Sequence, residues 1–236
     1  MENKEGEIAT WQKSLQKSIS GNMQLDFWKN ICIGYIAASS KTPETDILKY
    51  KNIHTNEKGS VFIVSILDAR SKIYKDLEGN ENASLCWYFP LSKEKYRIRS
   101  KLFRIVKGCY DEKKEQPLLE AKKFQEIWEK DLSKEERKEF TELTPDTVTE
   151  EKSIKKHDDL NDFGTPEVAN VSRNFAVVLF EVLEVEHTRY QMPQVIADAR
   201  YTPFESLFAP YKVTTKYLHT RSKEDPSKWE SVPLNP

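Results

Sequence analysis

Apolar residues in this chain gather in short runs separated by polar turns. Ile31 to Ala38 (ICIGYIAA) is continuous and apolar, the pattern of a buried strand. The turn SSKTPET follows, and then Asp46 to Ile53 (DILKYKNI) predicts a second strand. After the polar turn HTNEKGS come three more runs: Val61 to Leu67 (VFIVSIL), Ala83 to Phe89 (ASLCWYF) and Lys95 to Val106 (KYRIRSKLFRIV). They are rich in β-branched and aromatic residues, which favour strands. One brief helical stretch, IYKDLEGN, interrupts them. Asn174 to Val185 (NFAVVLFEVLEV) predicts a sixth strand. Short strands joined by short turns are the grammar of an antiparallel barrel, which closes on itself to remove its edges.

Helical spacing appears on either side of this β pattern. Trp11, Leu15 and Ile19 recur every four residues within Thr10 to Ser20, a helix with Thr10 as its expected cap and Gly21-Asn22 as its end. Residues 1–9 carry little to bury and are expected to be disordered. Leu118, Leu119, Phe124, Ile127, Trp128 and Leu132 fit a helix over Gln116 to Leu132. Ser133 with Glu136 is a capping-box pattern opening a second helix to Phe140. The expected organisation is one domain over residues 10–236. It has a helical insertion at about 112–141 and a long polar loop at about 142–172. Tyr211 to Leu218 and Lys228 to Leu234 suit a terminal hairpin.

Composition narrows the class. With 236 residues the chain can bury a core without staples, and its formal net charge of −1 opposes a protein built for electrostatic nucleic-acid binding. MENKEGEIAT has no apolar signal core and no stretch has the length of a membrane span, so a cytoplasmic protein is expected. Cys32, Cys86 and Cys109 form no CxxC pattern. Cys32 and Cys86 lie in apolar runs and are expected to be small buried hydrophobes. His54, His157, His187 and His219 are scattered without metal-ligand spacing, so no metal site is expected.

The chemistry concentrates where the third run ends. Arg70 offers a fork for an anion, Lys72 a point charge and Ser71 a hydroxyl; Lys49 or Lys51 on the preceding strand can add a cation. A chain leaving a strand for a helix at such a cluster suits a phosphate. The tripeptide alone also suits a solvated helix start; the ordered strands around it favour the grip.

In that order, DARSK, DLEGNENASLCWYF and YRIRSKLFRI resemble the flavin-binding split barrel of the pyridoxamine 5'-phosphate oxidase-like proteins. TWQKSLQKSI, FQEIWEKDLSKEERKEF, NFAVVLFEVLEVEH and the terminal WESVPLNP extend the likeness to one branch of that family. The resemblance implies a mainly β fold, a six-stranded antiparallel split β-barrel with flanking helices. It implies a homodimer with flavin mononucleotide (FMN) bound at the shared interface. Arg70, Ser71 and Lys72 would hold the FMN phosphate, Lys51 would stand at the family's cation on the second strand, and Lys95 would lie near the ring, with Arg97 on the same strand as a further cofactor-binding candidate. Trp229 and Arg221 are candidates for the C-terminal part of the pocket. The chain departs from the family pattern at Asp46, where an Arg is usual, at Lys95 for a Gln, at Ser100 for a Gly, and at Ile73, where the grip lysine falls in the branch compared. The expected function is a flavin-dependent oxidoreductase of unknown substrate. The alternative is a non-catalytic split-barrel binding or scaffold protein with weak or no flavin binding.

Other readings carry less. Trp87, Tyr88 and Phe89 alternate sides on a strand, so at most two share a face, and core packing is expected. Lys95, Arg97, Arg99 and Lys101 would line one strand face, solvated or facing a dimer partner rather than nucleic acid. Asp158-Asp159 lies in the polar loop, and no Gly-rich phosphate loop or GxSxG elbow is present.

Overall fold

The computed structural model describes residues 9–25, 29–38, 40–106, 121–141, 171–191 and 212–235. Helix α1 spans Thr10–Asn22 and precedes strands β1 (Asn30–Ile36), β2 (Pro43–Thr55) and β3 (Val61–Asp68). A one-turn helix, α2 (Lys72–Asp76), leads to β4 (Asn82–Phe89) and β5 (Glu94–Val106). Then come α3 (Ala121–Glu126), a π-turn (Ile127–Asp131), α4 (Lys134–Glu139), β6 (Phe175–Gln191), β7 (Lys212–Arg221) and β8 (Trp229–Leu234). The strands form one antiparallel sheet in the order β3-β2-β1-β4-β5-β6-β7-β8, and β3 also pairs with β6. That extra pairing closes β1 to β6 into a ring, which the six expected strands build. The expected terminal hairpin is β7–β8, added along the C-terminal half of β6. The expectations for residues 1–8, Cys109, residues 116–120 and the loop through residues 142–170 lie outside the described residues.

Two cores explain which strands alternate and which do not. Inside the ring, Ile31, Ile33, Leu48, Ile63, Leu85, Trp87, Phe89, Tyr96, Ile98, Val178 and Phe180 are buried together. On β4 the period is strict: Ala83, Leu85, Trp87 and Phe89 point in, while Ser84, Cys86 and Tyr88 point out. The other faces of β3 and β6 are covered too. Phe62, Val64, Ile66, Val177 and Leu179 pack outward against Phe124, Ile127, Trp128, Leu132 and Phe140 of the helical insertion. This double burial is why VFIVSIL and FAVVLF read as unbroken apolar runs.

Local devices tie the helices down. Ser133 and Glu136 form the expected capping box of α4. The helix before it does not stay α-helical: the π-turn at Ile127–Asp131 buries both Ile127 and Trp128. Thr10 is not the cap of α1. Ala9 holds that position without a side-chain bond, and its carbonyl accepts from the Gln12 and Lys13 amides. Tertiary contacts hold α1 instead. Trp11 and Leu15 are fully buried, and the Trp11 ring meets Trp229 edge-on at 5.1 Å.

A buried polar latch completes the docking of α1. The Ser18 hydroxyl donates to Glu94 Oε2, while Arg189 Nε donates to Glu94 Oε1 at 2.7 Å and His187 Nε2 lies 3.3 Å from the same oxygen. The Tyr96 ring stacks on His187 at 4.4 Å, and His219 bonds Ser231 at 2.7 Å. Burial alone pushes the Glu94 carboxyl up, but the bonds from His187, Ser18 and Arg189 outweigh it and hold it at about 2. Burial, with His187 beside it, pushes His219 down to about 4. Both groups prefer to release their proton in the fold, so both stabilise it at neutral pH. The His219 contribution is lost as pH falls from about 6.5 toward 4, and the Glu94 contribution from about 4.5 toward 2.

The melting temperature is therefore expected to fall in two steps between pH 7 and 2, and Glu94→Gln to remove most of the lower step. A thermal melt series across that range checks both. Phe175 touches Phe124, Trp128 and Phe140 with centroids 5.0, 5.1 and 5.3 Å away. Phe175→Ala is expected to cost about 3–5 kcal/mol in a denaturant titration.

Candidate functional site

The site is built where β3 ends. The Ala69 amide donates to Asn174 O at 2.7 Å, pinning the turn to the residue before β6. Ser71 is the N-cap of α2: its Oγ accepts from the Tyr74 amide and donates to Asp68 O at 2.7 Å. Its hydroxyl is thus committed to the backbone. Arg70 grips Asp68 with two nitrogens, Nε at 3.0 Å from Oδ1 and Nη2 at 2.7 Å from Oδ2. Its Nη2 also donates to Glu139 O on α4 at 3.3 Å. Lys72 Nζ pairs with Asp76 Oδ2 at 2.7 Å, and this bond raises the exposed ammonium's pKa.

Lys51 reaches the same helix as Arg70. A register shift between Tyr50 and Asn52 places it in an irregular part of β2, and its Nζ donates to Glu136 Oε1 at 3.0 Å and Asp131 O at 3.3 Å. Burial pushes the Glu136 carboxyl up, but the Ser133 amide and Lys51 prevail and hold it below its ordinary value. Lys51 and Arg70, apart by nineteen positions in sequence, therefore converge on α4.

The other predicted residues fall elsewhere. Lys95 and Arg97 sit on β5 opposite Tyr88 and Cys86 of β4. The Lys95 ammonium lies 5.8 Å from the centre of the Tyr190 ring. On its other side β5 meets glutamates: Arg97 opposes Glu186 and Arg99 opposes Glu184, with 3.6 Å between Arg99 and Glu184. The alternating cations thus face an acidic row. Arg221 pairs with Glu181 at 2.6 Å and Ser60 at 3.2 Å, and Trp229 packs on Trp11, so both serve the fold. Asp46 lies near Tyr35, where burial and then the Asp46 charge raise the phenol; Lys72 and Asp76 act on the same phenol.

The structure therefore directs Lys51 and Arg70 to one helix, α4, turns Lys72 toward the Tyr35 end, and keeps Lys95 and Arg97 on a separate strand face. The expectation of buried Cys32 and Cys86 is corrected: both are exposed. Their runs are apolar, but their positions in the alternation of β1 and β4 point outward. Sequence reasoning missed the carboxylates that hold the cations. Asp68 two residues before Arg70, and Asp76 four after Lys72 on a helix, were visible as spacings. Glu136 and the buried Glu94–His187–His219 cluster were not, because only the fold assembles them.

Chemically, a guanidinium and an ammonium aimed at one helix suit a phosphate, whose oxygens accept from both. Asp68 and Glu136 already occupy these donors as carboxylate stand-ins. The donor set thus fits a phosphate-bearing group such as FMN, with Ser71 contributing helix geometry rather than a free hydroxyl. Among the described residues no group of three or more His, Cys, Asp or Glu is arranged to hold a metal, and no helix is long and apolar enough to cross a membrane.

Comparison with known proteins gives a partial family match and a shared fold. Residues 8–106 match the family model described as pyridoxamine 5'-phosphate oxidase, FMN-binding domain. A pyridoxamine 5'-phosphate oxidase-related, FMN-binding protein from Nostoc punctiforme PCC 73102 shares the fold at a TM-score of 0.68 and 19% identity, over 98% of this chain and 99% of that one. PhzG from Burkholderia lata 383, solved with tetrahydrophenazine-1-carboxylic acid, shares it at a TM-score of 0.59 and 11% identity, over 99% and 95%. No curated protein matches the sequence. Residues 8–106 are therefore similar to the FMN-binding domain of pyridoxamine 5'-phosphate oxidase, on a split-barrel fold shared along nearly the whole chain with the FMN-binding protein from Nostoc punctiforme.

Proposed function

We propose that this protein binds FMN and acts as a flavin-dependent oxidoreductase on a small-molecule substrate. The observation that carries the reading is the match of residues 8–106 to an FMN-binding domain, with Lys51 and Arg70 converging beside the turn that holds Ser71 and Lys72. FMN, when bound, supplies the electron or hydride chemistry. The chain's own residues do the rest. Arg70 and Lys51 bind the phosphate by exchanging Asp68 and Glu136 for its oxygens. Ser71 caps α2 and so fixes the direction in which Arg70 leaves the turn. Lys95 and Arg97 present positive charge from β5, which favours an electron-rich reduced ring. The working unit is a homodimer, as the family resemblance implies, and its place is the cytoplasm.

A second reading has its own observation. Arg70, Lys72 and Lys51 are each already satisfied by a carboxylate of this chain. A binding or scaffold protein with weak flavin affinity would look the same.

The purified protein is expected to be yellow, with a flavin band at roughly 450 nm. Arg70→Ala and Lys51→Ala are each expected to weaken FMN binding by roughly 10–100-fold in a fluorescence titration. A colourless protein that ignores added FMN favours the scaffold reading, and unchanged affinity in both variants moves the phosphate elsewhere. Light scattering is expected to give twice the 27.6 kDa chain mass.

A further inference from the structure

We propose that Cys32 and Cys86 form a redox staple, a dithiol that closes to a disulfide across the β1–β4 seam. The two residues are direct register partners on antiparallel strands. Partners in such a ladder have Cα atoms roughly 4.5–5.5 Å apart, within the span a disulfide bridges. Both are free and exposed on the outer side, while their neighbours in the ladder, Ile33 and Leu85, point into the core. The Cys32 thiol lies close enough to act electrostatically on Cys86.

The seam gives the bond something to do. β1 and β4 pair through three residue pairs only, Cys32–Cys86, Ile33–Leu85 and Gly34–Ser84. Every other ladder in the ring is longer: seven pairs join β1 to β2 and eight join β4 to β5. A covalent link at the end of the shortest ladder closes the ring where its hydrogen bonding is thinnest. It also shortens the unfolded chain between positions 32 and 86, which favours the folded state.

The chemistry balances with a hydroperoxide as oxidant. One thiolate sulfur attacks the peroxide, the O–O bond breaks, and a sulfenic acid and an alcohol or water form. The second thiolate displaces hydroxide from that sulfur and makes the S–S bond. Overall two thiols and one hydroperoxide give one disulfide, one alcohol (or water) and one water; the sulfurs lose two electrons and the peroxide gains them. A dithiol reductant reverses the bond by exchange. Burial pushes the Cys86 thiol up, and the nearby Lys95 and Arg97 charges only partly offset this, so the staple closes slowly at neutral pH and faster as pH rises.

The test treats the full-length protein with hydrogen peroxide, then alkylates it and maps its peptides without reduction. The expected result is a linked pair of peptides containing Cys32 and Cys86, lost after dithiothreitol. The oxidised protein should also melt higher than the reduced one by roughly 5–10 °C. The Cys86→Ser variant, still folded by circular dichroism, should show neither the linked peptides nor the shift. Separately alkylated or overoxidised Cys32 and Cys86, or a link of either to Cys109 alone, overturns the proposal. So does a linked pair with no rise in melting temperature, which removes the stapling role. If Cys86→Ser does not fold, Cys32→Ser serves in its place, and the wild-type map decides by itself.

Discussion

The pairing of β6 is the constraint on which the rest of the structure depends. This strand of 17 residues pairs with β5 along most of its length, with β3 along its first half and with β7 along its second. The first half closes the ring, and the second half carries the added hairpin. A register shift at Arg99–Ser100 of β5 lets one strand serve both tasks, since a bulge bends and twists the ladder. Side chains of β6 alternate between the two cores: Val178 and Phe180 face inward, Phe175, Val177 and Leu179 face the helices. Neither the barrel interior nor the helical layer can pack without it.

The candidate site inherits this arrangement. The turn after β3 is anchored by Ala69 to Asn174, just before β6 begins, and Phe140, directly after the α4 helix that receives Lys51 and Arg70, packs on Phe175 of the same strand. The cations therefore converge because the helical insertion is pressed against β3 and β6. They do not converge because they are close in sequence. Their carboxylate partners keep the charged groups satisfied, which removes the cost of leaving partly buried cations unpaired.

The opposite end of the molecule uses polar groups for a different purpose. Glu94, His187, Arg189, Ser18 and Tyr96 lie under α1 and hold it to the sheet. Such a network has a specific geometry, so it fixes how α1 docks, where Trp11 and Leu15 alone would allow sliding. It is held together by charge, and acid loosens it before it loosens the apolar cores.

Much of the fold was legible in the sequence because it is local. Alternation in ASLCWYF, unbroken apolar runs in VFIVSIL and NFAVVLF, and the Ser133–Glu136 capping box each set an element through period or short-range hydrogen bonding. The order of these elements sufficed for the ring of six strands. The site was only half legible. Arg70, Ser71 and Lys72 stood out as residue types at the end of a strand, yet their directions differ because Ser71 is a cap and Asp68 and Asp76 claim the two cations. Composition placed Cys32 and Cys86 in the core, but the phase of β1 and β4 turns them outward. By itself, then, the sequence determined where strands and helices form and which chemical groups are available. Tertiary structure decided which groups meet, Lys51 with Glu136, Glu94 with His187, Cys32 with Cys86, because those contacts depend on strand register and on helices packed across long stretches of chain.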